Sequence, residues 1–174
     1  MQRGFTLIEI IIGIVVLAIS IVLLTVLVFP QAQLSAEPLL QQRAAALGEA
    51  FIQEISGKSF DENSDRSGGA LRCGETGAPA CTLPTNLGPD SEARNDFDDV
   101  DDYHELQITA PTLADAMGSD LATRYPGFEF AISVCYSDAN GVCQSAVTLY
   151  KKIEVTITTA FGQNFTFVTL RGNY

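Results

Sequence analysis

Gly4-Phe5-Thr6-Leu7-Ile8-Glu9 decides the reading of this chain. Only Met1, Gln2 and Arg3 stand before it, and the chain then stays apolar to Phe29, with Glu9 the one charge in the run. An unbroken run of about 25 residues rises roughly 37 Å as a helix, enough to cross a hydrocarbon core of about 30 Å. A secretory signal peptide is shorter, with an apolar region of about 7–15 residues that ends at a small-residue cleavage site. The one stretch here that could mimic such a site, Ala18-Ile19-Ser20, is embedded in further Ile, Val and Leu. A carboxylate near the end of a lipid-facing helix is costly, so Glu9 needs a reason to be there. Arg3 and the amino terminus lie on the short side, and no Lys or Arg follows until Arg43. The excess of positive charge on that side predicts a cytoplasmic N-terminus and an external remainder.

Gly-Phe-Thr-Leu-Ile-Glu opening an apolar helix resembles the type IV prepilin motif, the class III signal shared by major pilins, minor pilins and the pseudopilins of type II secretion. The resemblance implies that a prepilin peptidase cuts between Gly4 and Phe5 and methylates the new amine of Phe5. It implies other pilin subunits and an inner-membrane assembly platform as partners. It also implies a single-pass inner-membrane protein with a periplasmic C-terminal domain, which later leaves the membrane for an extracellular pilus. Glu9 becomes the assembly residue: its carboxylate would neutralise the Phe5 amine of a neighbouring subunit, an attraction that is strong in low dielectric. Pairing of Glu9 with its own amine, or protonation in lipid, is the alternative.

Composition agrees with an extracytoplasmic domain. The net charge of −11 argues against nucleic acid as a partner, because that affinity comes from Lys and Arg on phosphates. The four cysteines fall as Cys73 with Cys81 and Cys135 with Cys143, the same spacing twice. Four cysteines allow three pairings; short-loop pairing within each couple is preferred because each brackets turn residues. Zinc is the rival, but Cys-x-x-Cys spacing is missing and His104 is the only histidine.

In chain order the expected organisation is a leader at 1–4, a membrane and assembly helix at 5–29, an amphipathic continuation at 30–57, a loop-rich region at 58–127 and an antiparallel sheet at 128–174. Gly13, Ser20 and Thr25 could mark close helix–helix contacts. Pro30 and Pro38 each remove a helix donor, so a bend or a melted stretch is expected between them. Beyond them Leu40, Ala44, Leu47, Phe51 and Ile55 recur at steps of three and four, the pattern of a helix lying on a sheet, and Gly57 is placed to end it. Thr112-Leu113-Ala114-Asp115 reads as a capping box that starts a short helix running to about Leu121. Phe128, Phe130, Ile132, Val134 and Tyr136 alternate with polar or small residues, as do Ile153, Val155 and Ile157, so the last third predicts strands. Asp138-Ala139-Asn140-Gly141 and Phe161-Gly162-Gln163-Asn164 predict the turns between them. The fold class is α+β and pilin-like: a long N-terminal helix packed on a C-terminal antiparallel meander, with a disulfide-clipped loop region between.

The loop region narrows the resemblance. Phe97-Asp98-Asp99-Val100-Asp101-Asp102-Tyr103-His104, with Tyr125-Pro126-Gly127-Phe128 opening the sheet, resembles the D-type minor pilins of the mannose-sensitive haemagglutinin (MSHA) pilus. Glu105 stands where that resemblance expects Gly. The same acidic run makes Asp96, Asp98, Asp99, Asp101 and Asp102 candidates for calcium, a hard cation that takes several oxygen ligands, although the run lacks the EF-hand pattern. Backbone capping by these carboxylates and a solvated acidic loop are the other two readings. No cofactor is otherwise implied. Catalysis finds little support: His104 has no second histidine at helical spacing, and paired cysteines offer no thiolate. Two classes of function remain, a filament subunit (minor pilin, or pseudopilin) and a membrane-anchored adhesin or calcium-binding domain.

Overall fold

Alternation along the last third of the chain builds a sheet with one buried face. The computed structural model describes residues 6–64, 71–109 and 120–174, with the side chains of 28–36 outside that description. Four strands, β1 (Gln107–Ile108), β2 (Glu129–Ser137), β3 (Tyr150–Thr158) and β4 (Asn164–Gly172), lie antiparallel in the order β1-β2-β3-β4. Period-two side-chain alternation puts Phe130, Ile132, Val134 and Tyr136 of β2 on the buried face, opposite Ile157, Val155, Ile153 and Lys151 of β3. Ile153, Val155 and Ile157 are therefore core residues, as their spacing predicts. A two-residue strand carries no period, which is why β1 has no signature within the region read as loop.

The helix α1 runs from Leu7 to Ser56. The expected melted stretch between Pro30 and Pro38 does not occur: both prolines fall inside α1. Each proline deletes one N–H from the ladder, and the bonds on either side carry the helix through. Gly57 follows the last helical residue, and its N–H donates to the Gln53 carbonyl at 3.1 Å. The expected helix beginning at Thr112 lies outside the described residues.

Two compact units divide the chain, Met1–Gln41 and Gln42–Tyr174. In the first, Leu7–Leu27 is long and apolar enough to cross a membrane, and none of it is buried within the protein. Its hydroxyls are satisfied internally: Ser20 Oγ donates to the Val16 carbonyl and Thr25 Oγ1 to that of Ile21, each at 2.7 Å. This leaves no unmatched hydroxyl for a lipid environment. In the second unit Ala44, Leu47, Phe51 and Ile55 of α1 are buried, and the Phe51 and Phe130 rings lie 4.4 Å apart between centroids. Gly48 lets the helix approach β4 closely, since a Cβ there would come within 2.4 Å of the Phe167 ring.

The connection between β2 and β3 is no tight hairpin. Asp138 Oδ1 accepts the N–H groups of Asn140 and Val142, both at 2.9 Å, and Gly141 takes φ +80°. Cys143 then returns beside Ser137 and is disulfide-bonded to Cys135, which fastens the excursion to β2. Cys73 is bonded to Cys81, and both are buried.

Two substitutions test this packing. Gly48→Val should overpack the helix against Phe167 and cost about 2 kcal/mol in chemical denaturation, while adding Phe167→Ala should recover most of that loss. Glu105 is held at φ +59°, which costs a non-glycine residue about 1 kcal/mol or more. Glu105→Gly should raise stability by up to about 1 kcal/mol, because the relief exceeds the added freedom of the unfolded chain. A drop in stability would show that the Glu105 side chain holds the turn.

Candidate functional site

The first candidate site is the start of α1. Gly4 and Phe5 lie outside the described residues. Thr6 stands just before the first helical residue and Glu9 three positions later, the spacing of a capping box. The Glu9 carboxylate accepts the Thr6 N–H through a long 3.5 Å contact, and the side chain is exposed. Glu9 thus caps its own helix weakly and adds negative charge where the helix dipole favours it. Around it Leu7, Ile8, Ile10, Ile11 and Ile12 are all exposed. An apolar rod with one accessible carboxylate near its tip suits association with similar rods in a low-dielectric medium.

The second candidate site is built by the insert between α1 and the sheet. Lys151 sits on the buried face of β3, and its side chain has no exposed surface. Its Nζ donates to the Phe60 carbonyl at 2.7 Å, to Asp61 Oδ2 at 3.1 Å and to Asp101 Oδ1. The rings of Phe60 and Tyr136 lie 4.7 and 5.1 Å from the same nitrogen. Asp61, also fully buried, accepts N–H groups from Thr82 (3.0 Å) and Asn63 (3.1 Å). Tyr136 OH donates to the Thr82 carbonyl at 2.7 Å and lies 3.2 Å from Asp61.

Short-range capping orders the acidic run itself. Asp102 Oδ2 accepts the N–H groups of Asp98 and Asp99 at 2.9 and 3.0 Å. Asp99 Oδ1 accepts those of Asp101 and Asp102 at 2.8 and 3.1 Å. The result is a single 3-10 turn, Asp101–Tyr103, whose residues are buried. Two backbone bonds of 3.1 and 3.0 Å join Ser59 to Asp98 and Val100. Tyr103 OH donates to Glu54 of α1 at 2.7 Å, and Arg94 pairs with the same carboxylate. His104 Nδ1 accepts the Val134 N–H at 3.2 Å, so the lone histidine caps a strand donor.

Burial dominates the electrostatics here. It pushes the Asp99 carboxyl up, and the charges of Asp101 and Asp102 add to it, so Asp99 titrates near 8. Asp101 is also raised, because burial outweighs the pull of Lys151. Asp61 goes the other way: burial raises it, but Lys151 and the N–H groups of Asn63 and Thr82 together hold it below the usual carboxylate range. Burial raises the Tyr136 and Tyr103 hydroxyls as well, with adjacent carboxylates adding to it, so both stay protonated.

Of the five calcium candidates, Asp99 and Asp101 are turned to backbone capping and to Lys151, and Asp96 is exposed. Asp98 and Asp102 have carboxylate oxygens within 4.8 Å of Glu92. Asp102 is already committed to two backbone donors. Structural ordering is thus the reading that the geometry of the run supports. Lys151 and Asp61 escaped the sequence reading. Stepping the alternation of Ile153, Val155 and Ile157 back by two places reaches Lys151; no local pattern marks Asp61.

Residues 1–25 match the family model described as the prokaryotic N-terminal methylation motif. No curated protein and no solved structure matches the chain. The motif supports a type IV pilin-like or pseudopilin-like protein, processed by a peptidase and assembled with other pilins in a membrane machinery. Together with the apolar Leu7–Leu27 helix it points to an inner-membrane anchor.

The raised Asp99 makes a signed prediction. Its folded pKa lies above its unfolded value near 3.9, so the stability linked to its proton is complete below about pH 4 and is lost as pH rises through about 8. Asp61, lowered, is lost only as pH falls below the ordinary carboxylate range. Thermal melts between about pH 6 and pH 8 should therefore show stability falling, by at most about 1.4 kcal/mol per pH unit from this group. Asp99→Asn keeps an acceptor for the two N–H groups and should flatten the decline. An unchanged slope in the variant would remove Asp99 as its source.

Proposed function

We propose that the chain is a minor pilin, a structural subunit of an MSHA-like type IV pilus with no reaction of its own and no required cofactor. It would be cut between Gly4 and Phe5, methylated on the Phe5 amine, held in the inner membrane by its helix with the C-terminal domain in the periplasm, and then drawn into the filament. The observation that carries this reading is Glu9: one accessible carboxylate near the tip of an otherwise apolar, unburied helix, inside a prepilin methylation motif. In that setting the Phe5 ammonium of a neighbouring subunit is the natural counter-charge.

The insert favours a minor over a major subunit. It is long, irregular and committed to its own buried contacts, poor material for a uniform shaft. Glu105 is the departure from the D-type pattern, at a backbone position whose φ of +59° the expected Gly would adopt without strain.

The test is the mature N-terminus and the filament. Mass spectrometry should find N-methylated Phe5 as the first residue. Glu9→Leu should insert normally in the membrane but fall at least tenfold in sheared surface filaments. Glu9→Gln separates charge from capping, because a glutamine can still serve the capping box. It should behave like Leu if pairing with the amine drives entry. Normal incorporation of both variants would refute the pairing. A processed protein that never reaches surface filaments would instead favour the pseudopilin reading.

A further inference from the structure

The pair at the centre of the second unit has a chemistry that an ion pair does not exhaust. Lys151 lies on β3 and Asp101 opens the 3-10 turn, fifty positions earlier in the chain. Lys151 Nζ touches Asp101 Oδ1, with side-chain exposures of 0% and 1%. Among the described residues the second oxygen, Asp101 Oδ2, is buried and has no hydrogen-bond partner. A third group stands on the amine itself: Asp61 Oδ2, 3.1 Å from Nζ, which also accepts the Thr82 N–H, while Oδ1 accepts that of Asn63. The Phe60 and Tyr136 rings close over the nitrogen.

We propose that Lys151 and Asp101 condense into an intramolecular isopeptide bond, with Asp61 as the group that moves the proton. Asp61 takes a proton from the Lys151 ammonium and frees the lone pair on Nζ. As Nζ attacks Asp101 Cγ and forms the C–N bond, a second ammonium proton passes directly to Asp101 Oδ1, which Nζ already contacts, and the bond from Cγ to Oδ1 breaks. Two of the three ammonium protons leave with that oxygen as water, one of them by way of Asp61, and the third stays on the amide. Asp61 ends as the carboxylate it began. Charge balances, since one cation and one anion become a neutral amide, and no oxidant or other reactant is required.

Three features favour the step. The reacting groups are fixed in contact, which removes the entropic part of the barrier. A neutral amide replaces a buried ion pair whose desolvation is costly. Condensation leaves a neutral carbonyl, in place of a carboxylate oxygen, at the Oδ2 position that has no hydrogen-bond partner. The product would tie the insert covalently to the central strand, a third cross-link beside the two disulfides. The proposal does not depend on the filament reading.

The experiment is peptide mapping of the full-length protein purified from membranes, reduced, alkylated and digested with trypsin. Condensation blocks cleavage after Lys151. The expected product is a branched species joining peptide 95–124, which contains Asp101, to peptide 125–152, lighter than their sum by one water. Asp101→Ala and Lys151→Arg should give linear peptides only. Asp61→Asn keeps the shape but cannot take the proton, and should leave the pair uncondensed, a loss of about a hundredfold or more in rate. Linear 95–124 together with normal cleavage after Lys151 in the unmodified protein would overturn the proposal. A branched product that forms at the normal rate in Asp61→Asn would overturn the role of Asp61.

Discussion

A cation with no water around it constrains the whole second unit. Lys151 occupies a core position on β3, where its neighbours along the strand face are Ile153, Val155 and Ile157. Leaving such a charge uncompensated would cost several kcal/mol, comparable to the stability of an ordinary domain. The compensation comes from outside the sheet. Asp61 arrives from the segment just after α1, and Asp101 from the far end of the insert. Both contact the buried Lys151, so the insert belongs to the core and does not decorate it.

That constraint orders the rest of the insert. Asp101 reaches Lys151 because Asp99 and Asp102 cap the backbone around it into one 3-10 turn. The turn is held in place by Ser59 on one side and by Glu54 and Arg94 on the other. Lys151 chiefly keeps Asp61 ionised, helped by the N–H groups of Asn63 and of Thr82, which lies next to the Cys73–Cys81 disulfide. A net charge of −11 looks like a solvated acidic surface in the composition. Several of those carboxylates are in fact interior, and they work as backbone caps and counter-charges.

Legibility in the sequence follows from how local each signal is. The membrane-length helix, its amphipathic continuation from Ala44 to Ile55 and the strands β2 and β3 all carry a period, and a period can be read without knowing the partner. The turns at Gly141 and Gly162 were legible for the same reason, from residues that tolerate positive φ. Asp61 is different: its role depends on Thr82, Tyr136 and Lys151, which lie 21 to 90 positions away. Lys151 was hidden by its own chemistry, since a lysine at a strand position reads as an outward residue. The prolines misled in the opposite direction, because a residue that weakens a helix locally does not end one that is held elsewhere along its length.

The two units meet their burial requirement in different ways. In the second, the inner face of the sheet is covered by α1, Lys151 is paired with Asp61 and Asp101, and the four cysteines are bonded to one another. In the first, Leu7 to Leu27 buries nothing, and its serine and threonine hydroxyls are turned back on the helix. An apolar surface of that length is stable only in lipid or among similar helices, and either environment accepts almost any apolar sequence. The helix can therefore be shared across a family of assemblies while carrying little that distinguishes one from another. A motif confined to residues 1–25 therefore points to an inner-membrane anchor and does not separate one pilin-like assembly from another.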